Sequence, residues 1–134
     1  MVFIDTGAFL ARWLSHDSQH RAAIRTWQGL AGVALYTSNH VLDETLTLLA
    51  RRATHRFAVD KAESIFASNA LEILYATRED ELEALPVLRK YADQQVSFTD
   101  CVSFVLMKRY RITTAFTFDR HFRMAGWKSI PESP

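Results

Sequence analysis

A chain of 134 residues is long enough to bury one hydrophobic core without disulfides or a structural metal, and its net charge of +1 supplies no global field to draw in a polyanion. The single cysteine excludes an intramolecular disulfide framework and suits a reducing cytosol. No basic leader precedes a long apolar stretch and no run approaches the ~20 residues of a membrane span, so a soluble cytoplasmic protein is expected.

In chain order, "MVFID" is a short apolar run that stops at "DTG", the pattern of a buried strand turning into a helix. "AFLARWL" fits that helix. Asp17 or Ser18 is then expected to cap a second helix through "RAAIRTWQGL". "VALYTS" reads as the second strand, followed by a helix capped by Ser38 or Asn39 and faced by Val41, Leu42, Thr45, Leu46, Leu48 and Leu49. "FAVDKAESIFASN" predicts a further helix and "LEILYAT" a third strand. Thr77 with Asp80 marks the start of a helix toward Tyr91, in which Pro86 predicts a kink or a break. "SFTD" opens a helix through "CVSFVLMKRY", "TTAFTF" is the fourth strand and "WKSI" a fifth. Helices alternate with strands that are apolar throughout, which argues for an α/β protein with a parallel sheet covered on both faces. One domain over residues 1–130 is expected, with 131–134 as a short tail.

The chemistry-bearing residues fall at one place in that architecture. In an open parallel sheet the working crevice lies beyond the carboxyl ends of the strands. Asp5 ends the first strand, Asp119 follows the fourth, and Asp100 begins the helix leading into the fourth. Glu44 lies about two turns into the helix after the second strand. Taken singly, each acid has an ordinary explanation as a turn or first-turn residue. Together they form a carboxylate cluster, which stays ionised near neutral pH only with a cation among them. Hard oxygen ligands with few histidines favour Mg²⁺ or Mn²⁺ over Zn²⁺, and such ions serve phosphodiester chemistry.

The stretches "FIDTGAFLA", "LDETLTLLARR", "SFTDCVSFVLMKR" and "TFDRHFRMAGW", in that order, resemble the PIN-domain ribonucleases, in particular the toxins of VapBC-type toxin–antitoxin systems. The resemblance implies a three-layer α/β/α sandwich with a central parallel sheet of four to five strands. It also implies a Mg²⁺- or Mn²⁺-dependent endoribonuclease leaving 5′-phosphate and 3′-hydroxyl ends, with Asp5, Glu44, Asp100 and Asp119 as metal ligands. Cys101 stands where the family more commonly has a smaller residue. The hydroxyls of Thr6, Ser38 and Thr117 are implied to hold the carboxylates or water around them. An antitoxin protein, an RNA substrate and a homodimer partner are implied as well.

Other residues carry competing explanations. Thr99 and Ser38 are good helix caps, and Asp93 is expected to support the Asp100 loop. His16 and His20 have metal-ligand spacing without an acidic partner motif and are expected to be solvated. Cys101 has no base beside it in sequence and is expected to be a small packed residue. His40, Arg120, His121 and Arg123 are candidate RNA contacts, as are Lys108 and Arg111, with Arg51, Arg52 and Arg56 as a second basic cluster. Phe9, Trp13, Trp27, Phe66 and Phe104 are expected in the core. A PIN-like module that binds RNA or protein without cutting is the alternative function. A phospho-acceptor domain is disfavoured because "FIDTG" has one acid and Asp119 precedes Arg120.

Overall fold

The computed structural model describes residues 1–132. Five strands form one parallel sheet in the order β3-β2-β1-β4-β5, built from β1 (Val2–Ile4), β2 (Leu35–Ser38), β3 (Leu71–Leu74), β4 (Thr114–Phe116) and β5 (Lys128–Ile130). β1 lies at the centre, paired with β2 on one side and β4 on the other, and all three of its residues are buried. That position explains its uninterrupted apolar run, since neither face meets water.

Each crossover is helical. α1 (Thr6–Trp13) and α2 (His20–Gln28) link β1 to β2, α3 (Asn39–Arg52) and α4 (His55–Ala67) link β2 to β3, α5 (Arg78–Lys90) and α6 (Phe98–Arg109) return to β4, and α7 (Arg120–Met124) leads to β5. The right-handedness of such crossovers puts α1–α4 on one face and α5–α7 on the other, the three-layer arrangement. Phe3, Phe9, Phe116 and Phe122 are fully buried, and Phe104 meets Phe122 edge to face at 5.0 Å. The strand order switches from one side of β1 to the other between β1 and β4, so the crevice of the sheet opens above that pair. Two bonds fix the spot: Asp5 N–H donates to the Phe116 carbonyl (3.0 Å), and Thr37 Oγ1 donates to the Ile4 carbonyl (2.9 Å).

Several local expectations need correction. α2 begins at His20 with neither Asp17 nor Ser18 capping it. The Asp17 carboxylate instead accepts from Gln19 N–H at 2.8 Å, and His20 Nδ1 meets the Ala11 carbonyl at 2.7 Å, which ties α2 to the end of α1. Pro86 does not break α5, which runs without interruption over Arg78–Lys90. The carbonyl that Pro86 leaves without a donor belongs to Leu82, and both residues are exposed, so water can supply the missing bond. The Thr77–Asp80 capping box forms as expected, and Asp80 is also held by Arg109 at 2.7 Å. Ser97, not Thr99, caps α6, and the Thr99 carbonyl accepts from Ser103 Oγ. Phe66 lies outside the core at 60% exposure, at the last turn of α4 where the chain leaves the layer. Of the expected tail, Ser133 and Pro134 lie outside the described residues.

Candidate active site

Asp5 occupies the position that would cap α1, yet its side chain makes no capping bond. Its Oδ2 instead accepts from Thr117 Oγ1 at 2.8 Å, across the β1–β4 pair, while Oδ1 is buried with no hydrogen-bond partner. Thr117 Oγ1 also accepts from Asp119 N–H at 3.0 Å, so one hydroxyl sets both acids. Asp119 in turn caps α7 by accepting from His121 N–H at 2.9 Å. Asp100 sits on the first turn of α6, 5% exposed, with its N–H given to Ser97 Oγ.

A cleft of about 470 Å³ gathers these residues. Asp5, Glu44, Asp100 and Asp119 all line it, together with Thr6, Gln95, Ser97 and His121. One atom each of Asp100, Asp119 and His121 lie within 4.8 Å of one another. The tightest group therefore contains a histidine that the sequence assigned to RNA, while Asp5 and Glu44 stand in the wall around it. His121 Nδ1 is 3.0 Å from Asp119 Oδ1 and 3.5 Å from Asp100 Oδ2, close enough for ion pairing. Neither approach has hydrogen-bond alignment, so that buried nitrogen remains without a hydrogen-bond partner.

The electrostatics follow from this crowding. Burial pushes the Asp5 carboxyl up to about 7, opposed by the Thr117 bond and reinforced by Asp119 and Glu44. Burial likewise pushes Asp100 up to about 9, with the charges of Asp5 and Asp119 adding to it. Such acids resist ionising together unless a cation joins them. The donor set fits a divalent cation on its own evidence: Asp5 Oδ1 is an orphaned buried oxygen, and the cleft is lined by further carboxylates. An oxygen-rich set of this kind suits Mg²⁺ or Mn²⁺.

The remaining sequence candidates divide. Thr117 bonds a carboxylate. Ser38 instead caps α3 through Val41 N–H, and Thr6 Oγ1 is buried without a partner. His40 turns toward Glu81 (3.6 Å) and lies edge-on to Phe98, and it does not line the cleft. Arg120 and Arg123 are exposed on α7. Lys108 and Arg111 stand at the far end of α6, with Lys108 eight residues and ~12 Å of helix axis from Asp100. Asp93 is exposed in the short 3₁₀ turn Ala92–Gln94. Cys101 is fully buried with its thiol pushed up to about 11 by burial and by Asp100, consistent with a packed residue. Of the second basic cluster only Arg52 reaches the cleft, whereas Arg51 lines a separate apolar groove between α3 and α4.

Residues 2–128 match the PIN domain family. The chain belongs to the PIN domain family. This PIN domain is 37% identical over 130 residues to the "23S rRNA-specific endonuclease VapC20" of Mycobacterium tuberculosis, covering 97% of this chain and 98% of that protein. The crystal structure of that VapC20, described as a "Sarcin-Ricin loop cleaving toxin", superposes with a TM-score of 0.89 at 35% identity, over 95% of this chain and 96% of the other. A "VapC ribonuclease" of Archaeoglobus fulgidus is 31% identical over 141 residues, covering 97% of this chain and 87% of that one. VapBC2 from Rickettsia felis, solved bound to a promoter DNA fragment, shares the fold at a TM-score of 0.69 and 15% identity, over 96% and 97% of the two chains.

Sequence reasoning missed Gln95, Ser97 and the Asp17–Gln19 loop at the rim of the cleft. Gln95 adopts the left-handed conformation (φ 56°) as the chain leaves the 3₁₀ turn, which no side-chain pattern announces. Arg52 was better marked: Glu44, Leu48 and Arg52 recur every fourth residue, and all three line the cleft.

Proposed function

We propose that this PIN domain is a divalent-metal-dependent endoribonuclease, the toxin of a toxin–antitoxin pair, acting as one catalytic unit over residues 1–130. The observation that carries the proposal is the buried, partnerless Oδ1 of Asp5 in a cleft shared with Glu44, Asp100 and Asp119. In this reading those four acids hold Mg²⁺ or Mn²⁺. When bound, the cation supplies an acidified water and offsets charge on the phosphate. Thr117 keeps one Asp5 oxygen engaged so that the other is presented to the cleft. The Asp119 carboxylate accepts from His121 N–H while its own N–H donates to Thr117 Oγ1, and the His121 ring stands between Asp119 and Asp100. A water oxygen attacks phosphorus, the 3′ oxygen departs with a proton, and 5′-phosphate and 3′-hydroxyl ends remain.

VapC20 makes a stem-loop of 23S rRNA carrying the sarcin–ricin sequence the first substrate to try. Phe66, Tyr75, Leu82 and Leu85 leave apolar side chains exposed, surface that an antitoxin and a second copy of the chain would cover. The test is cleavage of that end-labelled RNA with Mg²⁺ or Mn²⁺, with chelator, and by Asp100→Asn. Cutting that needs metal and is lost in the variant supports the proposal. Absence of cutting by folded, metal-replete protein on several structured RNAs would replace it with a non-cleaving binding module.

A further inference from the structure

Beside the acidic cleft lies a second cavity of about 500 Å³ at the end of α1 and the α3–α4 junction, and the two share Asp17 and Arg52 at their rims. The walls of the second cavity are Trp13, Leu14 and Phe57, and Ser15 and His16 stand exposed at its edge. Its size falls within the ~300–1,000 Å³ of small-molecule sites. Arg52 is exposed, and among the described residues no carboxylate pairs with it. It follows Glu44 by eight residues on the same face of α3, which is ~12 Å along the helix axis. An unpaired guanidinium therefore stands between a place that orders phosphodiester chemistry and a place with flat apolar walls and a polar edge.

Single-stranded and loop RNA is recognised through this combination, with phosphates on basic groups and unstacked bases against aromatic side chains. We infer that Arg52 and the Trp13–Leu14–Phe57 cavity form a subsite for one unstacked nucleotide of the RNA, its phosphate on Arg52 and its base in the cavity. The subsite rests on the endoribonuclease reading and extends it to substrate selection. Two features favour RNA over an apolar peptide side chain as occupant. The cavity adjoins the acidic cleft, sharing Asp17 and Arg52 with it, and Arg52 supplies at that junction a cation suited to a phosphodiester. The subsite requires that a nucleotide near the cut be unpaired, as in a loop or bulge.

The experiment uses the full chain and a stem-loop RNA that the wild type cleaves, in intact form and with single abasic substitutions within three nucleotides of the cut. Arg52→Ala is expected to raise KM about tenfold with kcat within about twofold, as for loss of one charge-assisted contact made equally before and during the reaction. Binding of labelled RNA to Asp100→Asn protein in chelator, with and without Arg52→Ala, is expected to lose a salt slope of ~0.7–0.9 for one phosphate. One abasic position is expected to raise KM about tenfold, as removal of a stacked base does. Phe57→Leu is then expected to add little on that abasic RNA. Arg51→Ala, on the separate groove, is expected to behave as wild type. Because Phe57 also packs on the α1–α3–α4 cluster, the abasic series provides the same reading without any variant. Cleavage that is indifferent to both Arg52→Ala and every abasic position overturns the subsite, as does an abasic effect that Phe57→Leu does not share. Failure of the wild type to cut any RNA overturns the endoribonuclease reading itself, a distinguishable result.

Discussion

Asp100→Asn should make the metal-free protein more stable at alkaline pH while abolishing cleavage. Asp100 is raised from 3.8 to about 9 and Asp5 from 3.8 to about 7 by burial and by the neighbouring acids. In the folded state both carboxyls therefore keep their protons at pH values where the unfolded chain has lost them. Stability from this source is complete below the unfolded value near 4 and is lost progressively as pH rises through about 7 and then about 9. Five units on Asp100 correspond to ~7 kcal/mol at 1.36 kcal/mol per unit, an upper bound because part of that repulsion is also felt by Asp5. A buried Asn whose amide finds no acceptor loses ~1–3 kcal/mol of the gain. The bound less that cost leaves a net stabilisation of at most ~4–6 kcal/mol at pH 8.5, on the order of 10–20 °C in Tm for a chain of this size. Thermal unfolding in chelator from pH 4.5 to 8.5 measures it, and the variant's curve should be flatter. Addition of Mg²⁺ at about a hundred times its Kd should restore ~2.7 kcal/mol to the wild type and little to the variant. A wild type whose apo stability is level across that range, or a variant no more stable than wild type at pH 8.5, would refute the reasoning.

Two further outcomes are expected. Thr117→Val keeps the shape but removes the donor to Asp5 Oδ2 and the acceptor for Asp119 N–H, so it should cost ~1–3 kcal/mol in chemical denaturation and move the onset of metal-dependent activity to higher pH, since the lost bond was holding the Asp5 carboxyl down. An activity profile that does not move would count against the link between the two strands. Pro86→Ala should return a backbone donor to the Leu82 carbonyl in α5 and stabilise the protein by ~1–2 kcal/mol, with cleavage unchanged. Equal or lower stability of that variant would mean that the proline is compensated by more than water.

The positions of Asp5 and Asp119 were legible because an apolar run that ends abruptly in an acid marks the edge of a buried strand, and in a parallel sheet those edges share one side. Asp100 and Glu44 were legible at coarser resolution, as acids on helices that leave or approach that same edge. What local pattern leaves open is which hydroxyl does which job. Ser97, Thr99 and Ser38 are chemically equivalent candidates for capping, and only the turn geometry selected Ser97 and Ser38 as caps. His121 was placed with the RNA contacts because the sequence records only that it follows Asp119. The short α7 folds its ring back between two acids. Phe66 was misread because hydrophobicity reports a preference for burial, whereas α4 ends before that preference is met.

The bond from Thr117 to Asp5 joins residues 112 positions apart. β4 must slot in beside β1 before either acid is placed, and β4 is among the last elements to be made. A ribosome that has released the first hundred residues has released β1–β3 and most of the helices but no assembled cleft. For the endoribonuclease proposed above, that order of manufacture withholds the assembled acidic cleft until synthesis is nearly complete.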